Sequence, residues 1–228
     1  MKSITVYSCS YGEGFPRPPE PAQPDPLCLY TYFTDRAGDT INPNSVWIPK
    51  YLPLQGCSPR RASRFAKILA DYFFSTDYSI YVDAELVLLG SPDNLVREIQ
   101  NFDIGVHRHT RRRYIMQEAL AISRKFPDLA EASIEQAKRL SKFPRTQLAE
   151  CGLLVRRNNT RTLALNHIWW GLFSLGPERD QLSFPCAATL STACIKWFEK
   201  EISNDYRTCS IARWNNRTHC GAKREKPE

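Results

Sequence analysis

Short apolar, β-rich runs alternate with helical stripes along most of this chain, and that alternation restricts the fold more than any other feature. Residues 4–9, 27–33, 46–48, 78–89, 103–106 and 147–156 read as strands. Between them, apolar residues recur at i, i+3, i+4 and i+7, the period of a helix with one buried face. Phe65, Ile68, Leu69 and Tyr72 do so after Ser58-Pro59, a serine cap with proline at the first helical position. Further helices are expected from Ser91-Pro92 to about residue 101, over 114–125 and 128–142, from Thr160 to Leu175 ahead of Gly176-Pro177, and from about Asp180. Such alternation argues for an α/β fold, with a mixed but mainly parallel sheet flanked by helices. A hydrophobic fraction of 42% over 228 residues supports one large domain, 1–228, with 221–228 expected as a disordered tail.

In such a sheet the ligand lies beyond the carboxyl ends of the strands. Gly12, Asp35, Asp83, Glu85 and His107 then fall along one edge. The run Tyr78 to Leu89 carries two carboxylates in its middle. On a continuous strand, residues i and i+2 share a face. Asp83 and Glu85 would project together, with Val82 and Leu86 on the other side. Adjacent carboxylates in an apolar run call for a compensating positive charge, and hard oxygen ligands suit Mg²⁺ or Mn²⁺. A strand end with both acids in water is the alternative reading.

A net charge of +7 favours an anionic ligand, whether nucleotide, phosphate, nucleic acid or membrane surface. Arg60, Arg64 and Lys67 form a basic stripe on the helix that precedes the D-x-E run. His107-Arg108-His109-Thr110-Arg111-Arg112-Arg113 is the densest positive cluster; it suits a phosphate or an acidic acceptor through bidentate arginine contacts. Both are otherwise solvated surfaces. Glu118 is expected to pair with a nearby arginine. Gly12, just after the first strand, lets backbone approach a ligand, and Asp35 either holds a ribose or base or caps the next turn. Prolines between 16 and 26 impose an extended loop. Most aromatics fall on apolar stripes instead of interleaving with basic residues, which disfavours nucleic acid as the partner.

No stretch has the length of a transmembrane helix, and Met1 to Tyr7 reads as a strand instead of a signal peptide. The expectation is a cytoplasmic protein whose eight cysteines are free thiols, with peripheral membrane association left open. A zinc site from Cys209, His219 and Cys220 would lack the usual C-x-x-C pair.

Four blocks carry a resemblance. They are Ser58 to Leu69 with Tyr78 to Glu85; His107-Arg108-His109 with Arg111-Arg112-Arg113 and Gln117-Glu118; Glu150 to Asn158; and Trp169-Trp170 with Arg179 to Phe184. In this order, over about 58–186, they resemble the TOD/MUCI type of GT-A glycosyltransferase-like proteins of bacterial polysaccharide clusters and plant mucilage biosynthesis. The chain has D-A-E where many transferases carry D-x-D. The resemblance implies a GT-A-like, Rossmann-like fold, a nucleotide-sugar donor, and a saccharide or other hydroxyl acceptor. It implies Mn²⁺ or Mg²⁺ on Asp83 and Glu85, with His219 as a further ligand. Arg60, Arg64, Lys67, Gly12 and Asp35 would face the donor. His107, His109, Arg179 and Gln181 would face donor or acceptor sugar. Asp180 would act as general base or bond a sugar hydroxyl. Two other classes stand beside this one. A metal-dependent phosphohydrolase or nuclease would need more clustered carboxylates or histidines, and a non-catalytic basic module would bind nucleic acid.

Overall fold

The computed structural model of the chain describes residues 2–143, 147–198 and 211–213. Strands β1 (Ile4–Ser10), β2 (Cys28–Thr34) and β3 (Ile48–Tyr51) are followed by helix α1 (Pro59–Ile68) and a 3-10 turn over Ala70–Tyr72. Next come β4 (Tyr78–Val82), β5 (Leu86–Leu88), α2 (Pro92–Glu98), β6 (Ile104–Arg108), α3 (Ile115–Lys125) and α4 (Ala130–Leu140). The chain continues through β7 (Ala149–Arg157), α5 (Thr160–Ser174), α6 (Asp180–Leu190), β8 (Ile195–Phe198) and β9 (Ile211–Arg213).

Seven strands form one sheet in the order β3-β2-β1-β4-β7-β6-β8. All neighbours are parallel except β7, which runs antiparallel to both β4 and β6. The mixed, mainly parallel α/β sheet is therefore present, with the reversal at its centre. β1 and β4 are buried along their whole length, as strands covered on both faces must be. On one face Tyr7, Phe33, Tyr81 and Leu154 pack with Ala66 of α1, Trp169 of α5 and Phe184 of α6. On the other, Val6, Ile80 and Val155 pack with Trp47 and with Leu95 and Val96 of α2. Directions and register bring Ser10, Thr34, Val82 and Arg108 to one edge, beside Ala149 at the start of β7.

Three local expectations change. The run 78–89 is not one strand. It breaks after Val82, and Leu86 N–H donates to Asp83 O at 2.8 Å to close a turn over Asp83, Ala84 and Glu85. β5 then leaves for a two-stranded sheet with β9. Strand alternation consequently does not pair the two carboxylates. The first helix stops at Ile68 instead of Tyr72. The Lys67 carbonyl near its end is held by Tyr7 Oη (2.8 Å) and Arg156 Nη2 (3.0 Å), an anchor that fixes where α1 ends. The third strand begins at Ile48, because Trp47 turns inward and its indole N–H donates to Pro19 O at 2.9 Å.

Cys9, Cys28, Cys57, Cys151, Cys186 and Cys194 are free thiols, as expected. Cys209, His219, Cys220 and the 221–228 segment lie outside the described residues. No helix among the described residues is long and apolar enough to cross a membrane.

Candidate functional site

Helix α1 begins as its sequence dictates, with the Ser58 hydroxyl accepting from Arg61 N–H at 3.0 Å and Pro59 next. Helical spacing then brings Arg60, Arg64 and Lys67 to one face. Lys67 is the key side chain. Its ammonium is almost fully buried, 2.6 Å from Asp180 Oδ2, 3.6 Å from Asp83 Oδ1 and 4.8 Å from the Tyr81 ring centre. Arg64 Nε stands 3.2 Å from the other Asp180 oxygen. The first residue of α6 is thus joined to α1 by two ion pairs. Buried charges persist only when paired in this way.

Asp180 itself is 4% exposed. Burial pushes its carboxyl pKa up, but Arg64 and Lys67 outweigh burial and hold it well below the usual carboxylate range. Its backbone carbonyl accepts from the Trp169 indole (3.0 Å) and the Ser183 hydroxyl (3.2 Å), so the helix start is held as firmly as the side chain. Gln181 Nε2 reaches Ala149 O at 3.5 Å, on the sheet edge.

Asp83 stands at the carboxyl end of β4, its N–H bonded to Gly152 O at 2.9 Å. Its Oδ1 accepts from the Tyr81 hydroxyl at 2.6 Å, and its side chain is 37% exposed. Glu85 is exposed on the same turn. Magnesium or manganese needs one or two protein carboxylates, and water and substrate phosphates complete the shell. Asp83 and Glu85 match that donor set. Among the described residues no group of three or more His, Cys, Asp or Glu converges.

Arg179 precedes α6, and its guanidinium lies 4.3 Å from the Phe126 ring centre; Arg60 covers the same ring at 5.5 Å. Burial and the charge of Arg60 both lower the Arg179 pKa. Arg60, Arg64, Lys67 and Arg179 thus gather beside Asp83 and Asp180.

Gly12 and Asp35 meet, as Gly12 N–H donates to both Asp35 oxygens at 3.1 Å. Gly12 has φ +86°, a left-handed conformation that suits glycine. His107 is buried on β6 against Phe198. His109 belongs to its own loop: Nδ1 accepts the N–H groups of Arg111 (3.1 Å) and Arg112 (3.2 Å), and Nε2 lies 3.6 Å from buried Glu118. Burial first, and then Arg112, lower its pKa to about 4, so the ring is neutral. Glu118 pairs with Arg112 as the sequence suggests. His219 lies outside the described residues.

Two contributors escaped sequence reading. Tyr81, near the end of β4, orients Asp83 from two residues upstream. Arg156 is fully buried and donates to Tyr7 Oη (2.7 Å) and Lys67 O (3.0 Å), fixing the backbone that carries Lys67. An arginine ending the apolar run Leu153-Leu154-Val155 was the available signal.

The mixed sheet, with its one reversed strand, is that of the GT-A glycosyltransferase fold, as solved structures show. Mouse xyloside xylosyltransferase 1 in its apo form superposes with a TM-score of 0.53 at 10% identity, over 95% of this chain and 99% of that one. The galactosyltransferase LgtC, in complex with donor and acceptor sugar analogs, gives 0.50 at 9% identity, over 92% and 86%. Residues 50–208 match the model of the TOD1/MUCI70 glycosyltransferase-like domain, and the chain belongs to that family. No curated protein matches it.

Proposed function

We propose that the chain transfers a sugar from a nucleotide-sugar donor to a hydroxyl of a saccharide acceptor. The observation that carries this reading is the gathering of four basic side chains at the strand ends. Arg60, Arg64, Lys67 and Arg179 gather there, and Lys67 is buried. A diphosphate is the anion such a cluster suits, since cations held in place by the fold act on it strongly. Asp83 and Glu85 would hold Mn²⁺ or Mg²⁺ beside it. The cation, when bound, supplies charge stabilisation for the departing diphosphate. In this reading Gly12 and Asp35 serve the nucleoside end of the donor and Gln181 a sugar, while His107, buried against Phe198, packs beneath the site. The cytoplasm is the proposed compartment.

Asp180 is better suited to a positioning role than to the base expected from the resemblance. A general base works best with a pKa near the operating pH and access to the acceptor hydroxyl. Asp180 is buried, and its carboxyl is held low by the two cations it positions. His109, committed to its own loop, is left out of the sugar-binding set.

The test is donor binding. Arg60→Gln and Arg179→Gln should each weaken a nucleotide sugar about tenfold or more in calorimetry, the worth of one charge-assisted hydrogen bond. Unchanged affinity in both variants would remove the phosphate assignment.

A further inference from the structure

A second cationic feature lies on helix α3, outside the donor cluster. Gln117, Leu120, Ala121 and Arg124 occupy i, i+3, i+4 and i+7, one face of that helix. With Arg111 and Arg112 from the preceding loop they line an open cavity of about 330 Å³. Three arginines line it, and no carboxylate is in the lining. Arg112 is tied from beneath by Glu118, while Arg111 and Arg124 make no ion pair among the described residues.

The loop that presents them is held in advance. Gln117 Oε1 accepts the N–H groups of Arg113 (2.8 Å) and Tyr114 (3.2 Å). Neutral His109 accepts those of Arg111 and Arg112. A backbone ordered before binding loses little freedom when a ligand arrives. The cavity lies at the low end of ligand-pocket sizes, about 300–1,000 Å³, and exceeds what a lone ion needs. Helix α3 also reaches the donor side, because it ends at Phe126, the ring covered by Arg60 and Arg179. Glu118 adds its field at Arg179 as well.

We infer that this cavity is an acceptor subsite, and that the acceptor saccharide carries a negative charge, a carboxylate or a phosphate, beside the hydroxyl that is glycosylated. The inference rests on the transferase reading. Arginine pairs with either oxyanion through parallel N–H···O bonds, and leucine and alanine between the arginines suit the apolar side of a sugar ring.

The experiment titrates wild type and the R111Q/R124Q double variant with a panel of uronic-acid and sugar-phosphate oligosaccharides. Each is compared with its carboxyl-reduced or dephosphorylated counterpart, and inorganic phosphate is run alone. Both arginines are exposed and make no ion pair among the described residues, so the variant should fold, and its melting temperature checks that. At least one charged oligosaccharide should bind ten times tighter than its neutral counterpart. The double variant should lose about tenfold for it while its nucleotide-sugar affinity with Mn²⁺ stays unchanged. The carboxylate and phosphate arms say which charge is read. No charged oligosaccharide binding, equal binding of charged and neutral forms, full affinity in the double variant, or free phosphate binding as tightly as the saccharides would each overturn the inference. Absence of nucleotide-sugar binding in both proteins would instead remove the transferase reading, so the two failures are distinguishable.

Discussion

Lys67 shows how one side chain can link two parts of a site. It faces Asp180 and Asp83 at once, while its own carbonyl is held by Arg156 and Tyr7. Removing the Asp180 charge leaves partly buried Arg64 without its ion pair and buried Lys67 with Asp83 alone, at 3.6 Å. Asp180→Asn should therefore cost on the order of 3–5 kcal/mol in denaturant unfolding and weaken donor binding as well. If the variant keeps both stability and donor affinity and loses only transfer, Asp180 is the base after all. The pH dependence has two separate windows. The folded pKa of Asp180 lies below its unfolded value of about 3.9, so its contribution is complete above that pH and is lost as the pH falls below it. The folded pKa of His109, about 4, lies below an unfolded value of about 6.5. Between those values the unfolded chain takes up the proton first, so stability falls as pH drops from about 6.5 and levels off near 4. His109→Gln should flatten that slope in melting curves taken across the window, and an unchanged slope would assign it elsewhere. At this scale sequence supplied the residue types but not the partnerships. Arg64 and Lys67 are more than a hundred positions from Asp180, and no local period links them.

Elements explain where the reading of sequence stopped. The α1 start and its basic stripe were legible because capping and helical spacing act within one turn. The turn at Asp83-Ala84-Glu85 was not, since the segment has no glycine or proline and sits inside an apolar run. The reversal of β7 is likewise tertiary, being set by which gap in the sheet the strand fills after α3 and α4. Packing gives a prediction at this scale. A Cβ on Gly105 of β6 would fall 2.4 Å from the Phe198 ring and 2.6 Å from Ile99, both buried. Gly105→Ala should destabilise by about 1–3 kcal/mol, the usual cost of overpacking. A melting temperature equal to wild type would mean that β8 and α2 give way more easily than their burial suggests.

For the whole molecule, the α/β alternation and four ordered sequence blocks point to the same fold that the sheet displays and that family membership carries. Fold and family do not name the sugar, because the same architecture serves many donors and acceptors. What this chain adds is a distribution of charge, with one cationic cluster at the strand ends and a second on α3. The central claim is that the first cluster receives a nucleotide diphosphate together with a divalent cation. Calorimetric titration of a nucleotide-sugar panel, with Mn²⁺ and then with chelator, tests it most directly. At least one nucleotide sugar should bind wild type, and chelation or the Asp83→Ala/Glu85→Ala double change should weaken that binding tenfold or more. Binding that is indifferent to both, or salt-sensitive binding of an oligonucleotide with none of any nucleotide sugar, would contradict the account.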